Sequence, residues 1–561
     1  MKCYQQVRGC AGLGRVLALA LLAGSLAGAS LAYAQNSSDY FSPGNLLVSS
    51  TVYDNNPKNV TVGEPLPPNC VVTSGSCSPP VTAINNGTYP YVFNNATVDG
   101  SFGITSKIIL DQITPKGALV NSLEVPNSSQ RGVPPTKDQM VSSFSSKSEL
   151  ALNLSTDHQY VTFMGYLTPI DTLDASNSNT PGAVDPTNPV GENIYRVVAR
   201  LDQNGKFKFT KTNAYSGNNG RAAILNNSDS DNFLYTAGNA GNGGNPQPDG
   251  IILGAGAQIM DPQVKALVAQ KPGPPTPVGS FNITQLGDTH DKIGKDTNFR
   301  GLTIFNNVLY TSKGSGGNGV NSVYFIDTTG TICTSMKGVG LPATPADLPT
   351  SPIDYDPMVL QTEGVVPYNM CILDGFPTAL SSKTSFPFGI WFANKNTVYV
   401  ADEGNGDNTF SPTTGLKGTY TVAAGQTTAG LQKWKFNSRK GTWRLAYTLQ
   451  KGLNLGVPYT VRGYPTGTNP VTCKKNCPPW SPATDGLRNI TGVVNGNGTA
   501  TIYAITSTVS GSGDQGADPN KLVVITDTIS AITLPTSENF KTLRTAAFAE
   551  ALRGVSFTPG S

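Results

Sequence analysis

The sequence Phe299-Arg-Gly-Leu-Thr-Ile-Phe-Asn-Asn-Val-Leu-Tyr-Thr-Ser-Lys313 predicts two β-strands joined by an Asn-Asn turn. β-Branched and aromatic residues favour the two strands, and adjacent asparagines tolerate the left-handed backbone of a tight turn. A glycine-rich loop over 314–319 follows, and Ser322-Val-Tyr-Phe-Ile-Asp327 then predicts a third strand. The unit is therefore a small antiparallel sheet whose longest loop joins its second strand to its third.

The same pattern occurs in four further segments of the chain. Each segment has two strands joined by a short turn, then a long loop rich in glycine or asparagine, then a third strand. The approximate bounds of the five copies are 150–216, 220–286, 299–340, 386–450 and 486–532. A sheet of three or four short strands cannot bury both faces alone, so neighbouring copies must stack. Radially stacked sheets of this kind form a β-propeller, which is an all-β fold.

The two ends of the chain together supply a sixth copy. Leu552-Arg-Gly-Val-Ser-Phe-Thr558 matches the first strand that begins at Phe299, and no second strand follows it. The segment 41–125 instead begins with second-strand material, so we expect 543–561 and 41–125 to share one blade. The sequence thus predicts a six-bladed propeller, closed by pairing of the C-terminal strand with the N-terminal strands. This closure removes exposed sheet edges.

A seventh blade is the alternative to this count. It could lie between Cys333 and Phe386 or between Lys451 and Pro482. Both stretches are rich in proline and poor in strand-forming residues, so we interpret them as loop insertions.

The N-terminal residues predict a secretory signal. Basic residues Lys2, Arg8 and Arg15 precede the apolar run Val16–Ala27, and Ala32-Tyr-Ala34 has the small-x-small pattern of a cleavage site. A transmembrane anchor is disfavoured because a bilayer span needs roughly 20 apolar residues. We therefore expect a signal peptide over 1–34 and one exported, extracellular or periplasmic domain over 35–561.

The bulk composition limits the class of partner. Charged residues make up 13% of the chain and the formal net charge is +3. This near-neutral balance gives no basis for a nucleic-acid partner or for an anionic membrane surface. We expect a monomer without a transmembrane segment, whose partner is a small molecule or an extracellular polymer.

Six cysteines remain once the signal sequence is removed, and an even number in an exported chain predicts disulfides. Local pairing gives Cys70–Cys77, Cys333–Cys371 and Cys473–Cys477. The alternative for Cys473-Lys-Lys-Asn-Cys477 is a metal or redox site, although no other Cys or His lies near it in the sequence.

One second strand carries a resemblance to a known group of propellers. Thr397-Val-Tyr-Val-Ala-Asp-Glu-Gly-Asn405 is similar to the strand motif of NHL-type propellers. Those belong with the six-bladed group that includes the gluconolactonase, strictosidine-synthase and paraoxonase families. The resemblance implies a six-bladed fold and, for lactonase-type members, a metal, commonly calcium, held in the central channel by Glu, Asn and Asp. Those ligands do not align with residues of this chain.

Four arginines occupy one slot of the repeat, at the start of the innermost strand, which lines the channel of a propeller: Arg221, Arg300, Arg488 and Arg553. We expect them to surround the channel mouth. In one interpretation they form an anion receptor, because the guanidinium fork suits carboxylates, sulfates and phosphates. In the other each pairs with a local acid and joins neighbouring blades, and Asp296, Asp485 and Glu550 lie three or four residues before three of the arginines. Sialidases also use several arginines, but their Ser-x-Asp-x-Gly-x-x-Trp boxes are absent from the sequence.

Two other clusters are candidates for chemistry. Oxygen-bearing side chains at close spacing on a glycine-containing loop suit calcium, and they are Asp402, Glu403, Asn405 and Asp407. His290, flanked by Asp288 and Asp291, is a candidate general base or metal ligand. In the alternative interpretation both clusters are solvated polar loops.

Taken together, the residues predict an exported propeller that binds an anionic or polyhydroxylated ligand, small or polymeric, at the loop-rich mouth of its channel. A metal-assisted or carboxylate-based hydrolase or lyase reaction is compatible with that site. The rival hypothesis is a non-catalytic propeller that serves as a scaffold, an adhesion module or a glycan-binding module.

Overall fold

The computed structural model describes residues 40–561 apart from internal gaps at 67–70, 74–75, 79–80, 101, 185–189, 229–231, 241–256, 263–266, 269–280, 284–297, 315–319, 328–347, 349–369, 379–384, 416 and 474–476. The expected signal peptide over 1–34 lies outside the described residues.

Six antiparallel sheets are present in the described part of the chain, and we number them as blades 1–6, giving strands from the channel outwards. Blade 1 has Glu550–Phe557, Leu46–Val52, Thr105–Ile113 and Leu119–Glu124. Blade 2 has Asn153–Leu154, Tyr160–Tyr166, Arg196–Asp202 and Phe207–Thr212. Blade 3 has Gly220–Asn226, Phe233–Gly238, Ala257–Met260 and Phe281–Ile283.

The other three blades follow in chain order. Blade 4 has Phe299–Phe305, Val308–Lys313, Ser322–Ile326 and Met370–Ile372. Blade 5 has Pro387–Asn394, Thr397–Asp402, Gly430–Asn437 and Thr442–Leu449. Blade 6 has Ala483–Val494, Thr499–Val509, Lys521–Thr528 and Lys541–Thr545. Each innermost strand contacts the innermost strands of both neighbouring blades, so the six sheets form a closed ring.

Short elements decorate this ring. Leu267–Val268 pairs with the outer strand of blade 2, and Ser142–Ser143 pairs with the third strand of blade 1. The small hairpins are Pro65–Leu66 with Val81–Thr82, Val71–Thr73 with Ser76–Ser78, and Phe410–Ser411 with Thr419–Tyr420. The described helices are the 3₁₀ turns Tyr91–Thr97, Ala175–Asn177 and Gln515–Ala517 and the α-helix Thr421–Gly425. None of these helices is long and apolar enough to cross a membrane.

The predicted closure of the ring is confirmed. The C-terminal strand Glu550–Phe557 pairs antiparallel with Leu46–Val52, from Leu46 opposite Phe557 to Val52 opposite Glu550. Leu46–Val52 pairs on its other side with Thr105–Ile113, so strands from both ends of the chain complete blade 1. The described parts of the two proline-rich stretches contain no seventh sheet.

Two outer strands lie beyond the bounds expected from the sequence. The fourth strand of blade 4 is Met370–Ile372, whereas that blade was predicted to end at residue 340. The fourth strand of blade 6 is Lys541–Thr545, part of which was assigned to the closing blade. Outer strands face solvent, and Lys541–Thr545 is exposed or half-buried throughout, so it lacks the alternating apolar pattern that marks an inner strand.

Glycines allow the innermost strands of neighbouring blades to approach closely. A Cβ atom added at Gly301 would lie 2.2 Å from the carbonyl oxygen of Phe388, and one at Gly554 would lie 2.2 Å from that of Leu150. Both distances are far inside van der Waals contact, so only glycine fits at these positions. The residue before each of these glycines is one of the four arginines, so the close approach brings the arginine slots of adjacent blades together.

The disulfide prediction is supported where both cysteines are described. Cys473 and Cys477 are joined, with their Cα atoms 4.7 Å apart. Cys371 is also disulfide-bonded. Cys70, Cys333 and the side chain of Cys77 lie outside the described part of the chain.

Candidate functional site

The four arginines lie in the innermost strands of blades 3, 4, 6 and 1. Arg221 and Arg300 are the second residues of their strands, whereas Arg488 and Arg553 lie near the middle of theirs. All four side chains are buried, and Arg300 and Arg553 are each only 3% exposed. In every case the pairing register with the second strand shifts at the arginine, so the strand forms a β-bulge there. A bulge breaks the strict alternation of a strand and redirects one side chain. Each of the four arginines therefore lies at a bulge, where its side chain does not follow the regular up-and-down alternation of the strand.

Glu403 links two of these arginines. It directly follows the second strand of blade 5, and its Oε1 lies 3.5 Å from Nη2 of Arg300. Its Oε2 accepts a hydrogen bond of 3.1 Å from Nε of Arg488. Burial alone would raise the pKa of Glu403, but the charges of Arg300, Lys147 and Arg488 outweigh it and lower the pKa to about 2. Glu403 is therefore ionised at any ordinary pH.

Arg221 is held by neutral acceptors. Its Nε donates to Oδ1 of Asn219 at 2.8 Å, and its Nη1 donates to Oδ1 of Asn298 and to the carbonyl of Phe299. Burial and the charge of Arg300 lower the pKa of Arg221 well below its ordinary value. Asparagine and carbonyl oxygens orient this guanidinium without neutralising it.

Arg553 is only partly hydrogen-bonded. Its Nη2 donates to the carbonyl of Phe144, while Nε and Nη1 have no acceptor among the described residues. Burial and the charge of Arg488 lower the pKa of Arg553 to about 10, so the side chain stays charged at neutral pH. Two buried, charged N–H groups therefore have no hydrogen-bond partner in the described protein.

Lys147 adds a fifth cation from the loop that enters blade 2. Its side chain is exposed to solvent. Glu403 raises the pKa of Lys147, but burial and the charges of Arg488 and Arg300 more than offset this, and the pKa lies below its ordinary value. The neighbouring hydroxyl of Ser148 accepts a hydrogen bond from Nη1 of Arg300.

We call the group formed by these side chains the arginine chamber, and its members are Lys147, Arg221, Arg300, Glu403, Arg488 and Arg553. All six blades contribute to it, counting the loop that enters blade 2. Two more carboxyl groups act on it: Glu149 and Asp514, whose pKa values burial raises. Both carboxyl groups also act on Arg553 and raise its pKa. Among the six members of the chamber, five are basic side chains and one, Glu403, is a firmly ionised carboxylate.

The expected pairing of the arginines with nearby acids is wrong for the two described cases. Asp485 accepts from the backbone N–H of Gly406 at 2.8 Å and from the side chain of Gln426, not from Arg488. Glu550 pairs at 2.6 Å with Arg544 rather than with Arg553. The bulge at each arginine turns it away from the acid three residues earlier. Asp296 lies outside the described residues.

The four residues expected to bind calcium serve different roles. Asp402 is fully buried and accepts hydrogen bonds from the backbone of Phe386 and Gly404 and from Gln432. Glu403 faces two guanidinium groups, while Asn405 and Asp407 are exposed and each caps a backbone N–H two residues on. Across the described chain, no group of three or more His, Cys, Asp or Glu side chains could hold a metal ion. The calcium site stays a prediction that these contacts do not support.

Asp288, His290 and Asp291, the candidate catalytic residues, lie outside the described residues. Their role stays a prediction. The sequence analysis missed the roles of two site residues: Lys147, which it did not single out, and Glu403, which it assigned to the calcium cluster. For Lys147 no sequence signal was available. For Glu403 the available signal was its position directly after an inner second strand.

One cavity lies away from the arginine chamber. It has a volume of about 1100 Å³ and is lined by the far ends of the innermost strands, including Ile224, Phe305, Trp391 and Ile490. The channel therefore has two chemically different ends.

Comparison with known proteins yields fold likenesses alone. No family model and no curated protein matches the chain. Among solved structures it is similar to the N-terminal domain of Nup159, with 7% identity over 73% of this chain and 89% of that one and a TM-score of 0.25. It is also similar to a chain of the S. cerevisiae complex of Dbp5 with Nup159, Gle1, IP6 and ADP, with 8% identity, 73% and 90% coverage and a TM-score of 0.25.

A third similar structure is that of NanB with Optactamide, with 8% identity over 76% of this chain and 62% of that chain and a TM-score of 0.31. Likenesses this weak carry no argument about function. They do not confirm the resemblance to the NHL and gluconolactonase group, which stays a prediction.

Proposed function

We propose that the arginine chamber binds a small anion or an anionic group of a larger ligand, recognised through carboxylate, sulfate or phosphate oxygens. The observation that carries this proposal is Arg553, which is 3% exposed and has no acceptor for Nε and Nη1 among the described residues. Leaving a buried charged donor unsatisfied costs about 1–3 kcal/mol or more. An oxyanion would accept from the guanidinium edge in the bidentate geometry that arginine favours.

The charge balance of the chamber supports the same proposal. Arg300 and Arg488 share the single carboxylate of Glu403, whereas Arg221 is bound by neutral oxygens. The remaining positive charge would be offset by one or two negative charges on a ligand. Lys147 is exposed to solvent and offers a flexible ammonium to such a ligand.

The rival function is a non-catalytic scaffold in which the arginines only join neighbouring blades. That hypothesis requires each guanidinium to be neutralised by an acid of the protein. In the described residues Glu403 pairs with two of the four arginines, and the predicted local partners Asp485 and Glu550 are engaged elsewhere. The arrangement favours a receptor over a scaffold.

The test is anion-dependent stabilisation of the mature protein. We expect citrate, sulfate or phosphate to raise the midpoint of thermal unfolding at constant ionic strength, relative to chloride. A ligand at 100 times its Kd adds about 2.7 kcal/mol to the free energy of unfolding. Sulfate and phosphate also stabilise proteins by exclusion from their surface, so the response must be compared with variants.

Arg553→Gln removes the buried positive charge. Arg553→Lys keeps a positive charge but loses the paired N–H donors of the guanidinium group. We expect both variants to fold and to lose the anion-specific part of the shift. The matched control is Arg439→Gln at an exposed turn, which should respond like the wild type. Equal responses in all four proteins would refute the proposal.

We also propose that the protein acts outside the cytoplasm as a monomer. The Cys473–Cys477 disulfide supports an oxidising compartment. N-terminal sequencing of the protein recovered from its natural source should begin at Gln35, and a retained Met1 would contradict export.

A further inference from the structure

The cavity at the opposite end of the channel has its own chemistry. We call it the turn-face cavity, because it lies at the end of the channel where short turns join the first and second strands of blades 2–6. Its wall is formed by the last residues of the innermost strands, such as Ile224 in blade 3 and Ile490 in blade 6. Arg221 and Ile224 lie three residues apart on one strand, which is about 10 Å at the usual rise. The cavity and the arginine chamber are therefore separate sites.

The side chains that line the turn-face cavity are mostly apolar or neutral and polar. None of the described residues that line it is Asp, Glu, Lys or Arg. His158 also lines it, and its Nδ1 lies 2.9 Å from the main-chain oxygen of Ser561. Hydroxyl and amide side chains supply the polar part of the wall, for example those of Thr303, Asn226 and Thr491. An ion entering here would lose hydration and would meet no counter-charge from an Asp, Glu, Lys or Arg side chain of the described lining.

Aromatic rings form the apolar part of the wall. The Trp391 ring covers Gly492 so closely that a Cβ atom there would lie 2.8 Å from it. Phe305 stacks on Phe392 with ring centroids 4.6 Å apart and an interplanar angle of 8°. Trp391 is half-buried, whereas the other three tryptophans are at most 6% exposed. Trp391 is thus the indole best placed to contact a bound molecule.

We propose that the turn-face cavity is a second binding site, which takes an uncharged, largely apolar small molecule bearing a few hydroxyl or carbonyl groups. The volume of about 1100 Å³ is at the upper end of the range for small-molecule sites. Flat aromatic surfaces offer dispersion contacts to rings, and the threonine and asparagine side chains offer hydrogen bonds that fix orientation. This site does not depend on the anion-binding function of the arginine chamber.

The test is a fluorescence titration of the mature protein with N-phenyl-1-naphthylamine, a neutral apolar probe. We expect saturable binding of one probe per chain, with quenching of tryptophan emission. Trp391→Phe should abolish most of that quenching, whereas the increase in the probe's own fluorescence on binding should remain. A probe fluorescence that rises without saturating would overturn the proposal.

Thr491→Glu places a carboxylate in the wall and should weaken probe binding at least tenfold. Its control is Thr542→Glu on the exposed outer strand of blade 6, which should bind like the wild type. A cooperative thermal unfolding transition shows that Thr491→Glu is folded. If that transition is lost, Thr491→Val, which keeps the cavity wall neutral, should bind the probe like the wild type. The proposal fails if Thr491→Glu binds the probe as tightly as Thr542→Glu, or if Arg553→Gln alone removes binding.

Discussion

At the scale of single residues, the arginine chamber depends on where each innermost strand breaks its alternation. The bulges at Arg221, Arg300, Arg488 and Arg553 redirect their side chains away from the regular faces of the sheets. Glu403 then joins Arg300 to Arg488 across three blades. A buried positive charge is stable only when a counter-charge or hydrogen-bond acceptors compensate for its lost hydration. Among the described residues this compensation is incomplete for Arg553.

The variant Glu403→Gln tests how much the carboxylate of Glu403 stabilises the charges of Arg300 and Arg488. Breaking a buried ion pair by removing one partner costs about 3–5 kcal/mol, so we expect the free energy of unfolding to fall by that order. Because Arg300 and Arg488 lose their counter-charge, sulfate should stabilise this variant more than it stabilises the wild type. Urea denaturation with and without sulfate measures both effects.

Glu192→Gln is the matched control, since Glu192 is exposed. It should change neither quantity. A Glu403→Gln protein that is as stable as the wild type, or that gains nothing extra from sulfate, would contradict the roles given to these charges.

The sequence could identify the four arginines but not their partners. Their shared slot follows from the repeat, which is a local pattern. The contacts of Glu403 join residues 85 and 103 positions apart in the chain, and no local pattern encodes such a pair. Asp485 and Glu550 lie close to the arginines in the sequence, but each binds another partner. Closeness in sequence therefore did not predict the ion pairs.

At the scale of elements, the strand Glu550–Phe557 closes the ring, and Gly554 sets its distance from blade 2. Gly554→Ala would place a methyl group 2.2 Å from the carbonyl oxygen of Leu150 and 2.8 Å from the nitrogen of Leu152. Backbone atoms cannot move aside cheaply, so we expect a loss of about 1–3 kcal/mol, the usual cost of overpacking. Thermal and chemical unfolding both report this loss.

Gly496→Ala is the matched control, because a Cβ atom there meets nothing within 4 Å. Its stability should equal or slightly exceed that of the wild type, since alanine reduces the entropy of the unfolded chain. Equal stability of the two alanine variants would show that the inner strands are not packed as closely as described.

The inner strands were predictable and two outer strands were not. Strands such as Thr397–Asp402 are buried throughout and contain β-branched and aromatic residues, which is a strong signal. Lys541–Thr545 is an edge strand in which lysine and both threonines are exposed, so its sequence resembles a loop. Met370–Ile372 has only three residues and follows a long proline-containing insertion. Blade number and closure follow from inner strands alone, which explains why both could be predicted.

At the scale of the whole molecule, buried carboxyl groups make stability depend on pH. Burial raises the pKa of Asp402 and Asp485 to about 6 and that of Asp518 to about 7. The folded protein therefore binds protons more tightly than the unfolded chain between about pH 4 and 7, where unfolded aspartate is ionised. Stability contributed by these groups falls as the pH rises through that range.

We predict a higher midpoint of thermal unfolding at pH 5 than at pH 8. Asp518→Asn should flatten this dependence, because it removes the group with the highest of the three pKa values. Asp407→Asn at an exposed turn should leave the dependence unchanged. A midpoint that rises steadily from pH 5 to pH 8 would show that these carboxyl groups are not buried as described.

The channel also has two chemically different ends. The arginine chamber lies at one end, and at the other lies the turn-face cavity, whose described lining contains no Asp, Glu, Lys or Arg. The most direct test of the charged end is anomalous diffraction from crystals soaked in selenate, a heavier analogue of sulfate. We expect a selenium peak beside Arg553 in the wild type, with selenate oxygens within hydrogen-bonding distance of Nε or Nη1, and no such peak in Arg553→Gln crystals. A chamber without selenium in the wild type, with both N–H groups of Arg553 bonded to protein oxygens, would contradict this expectation.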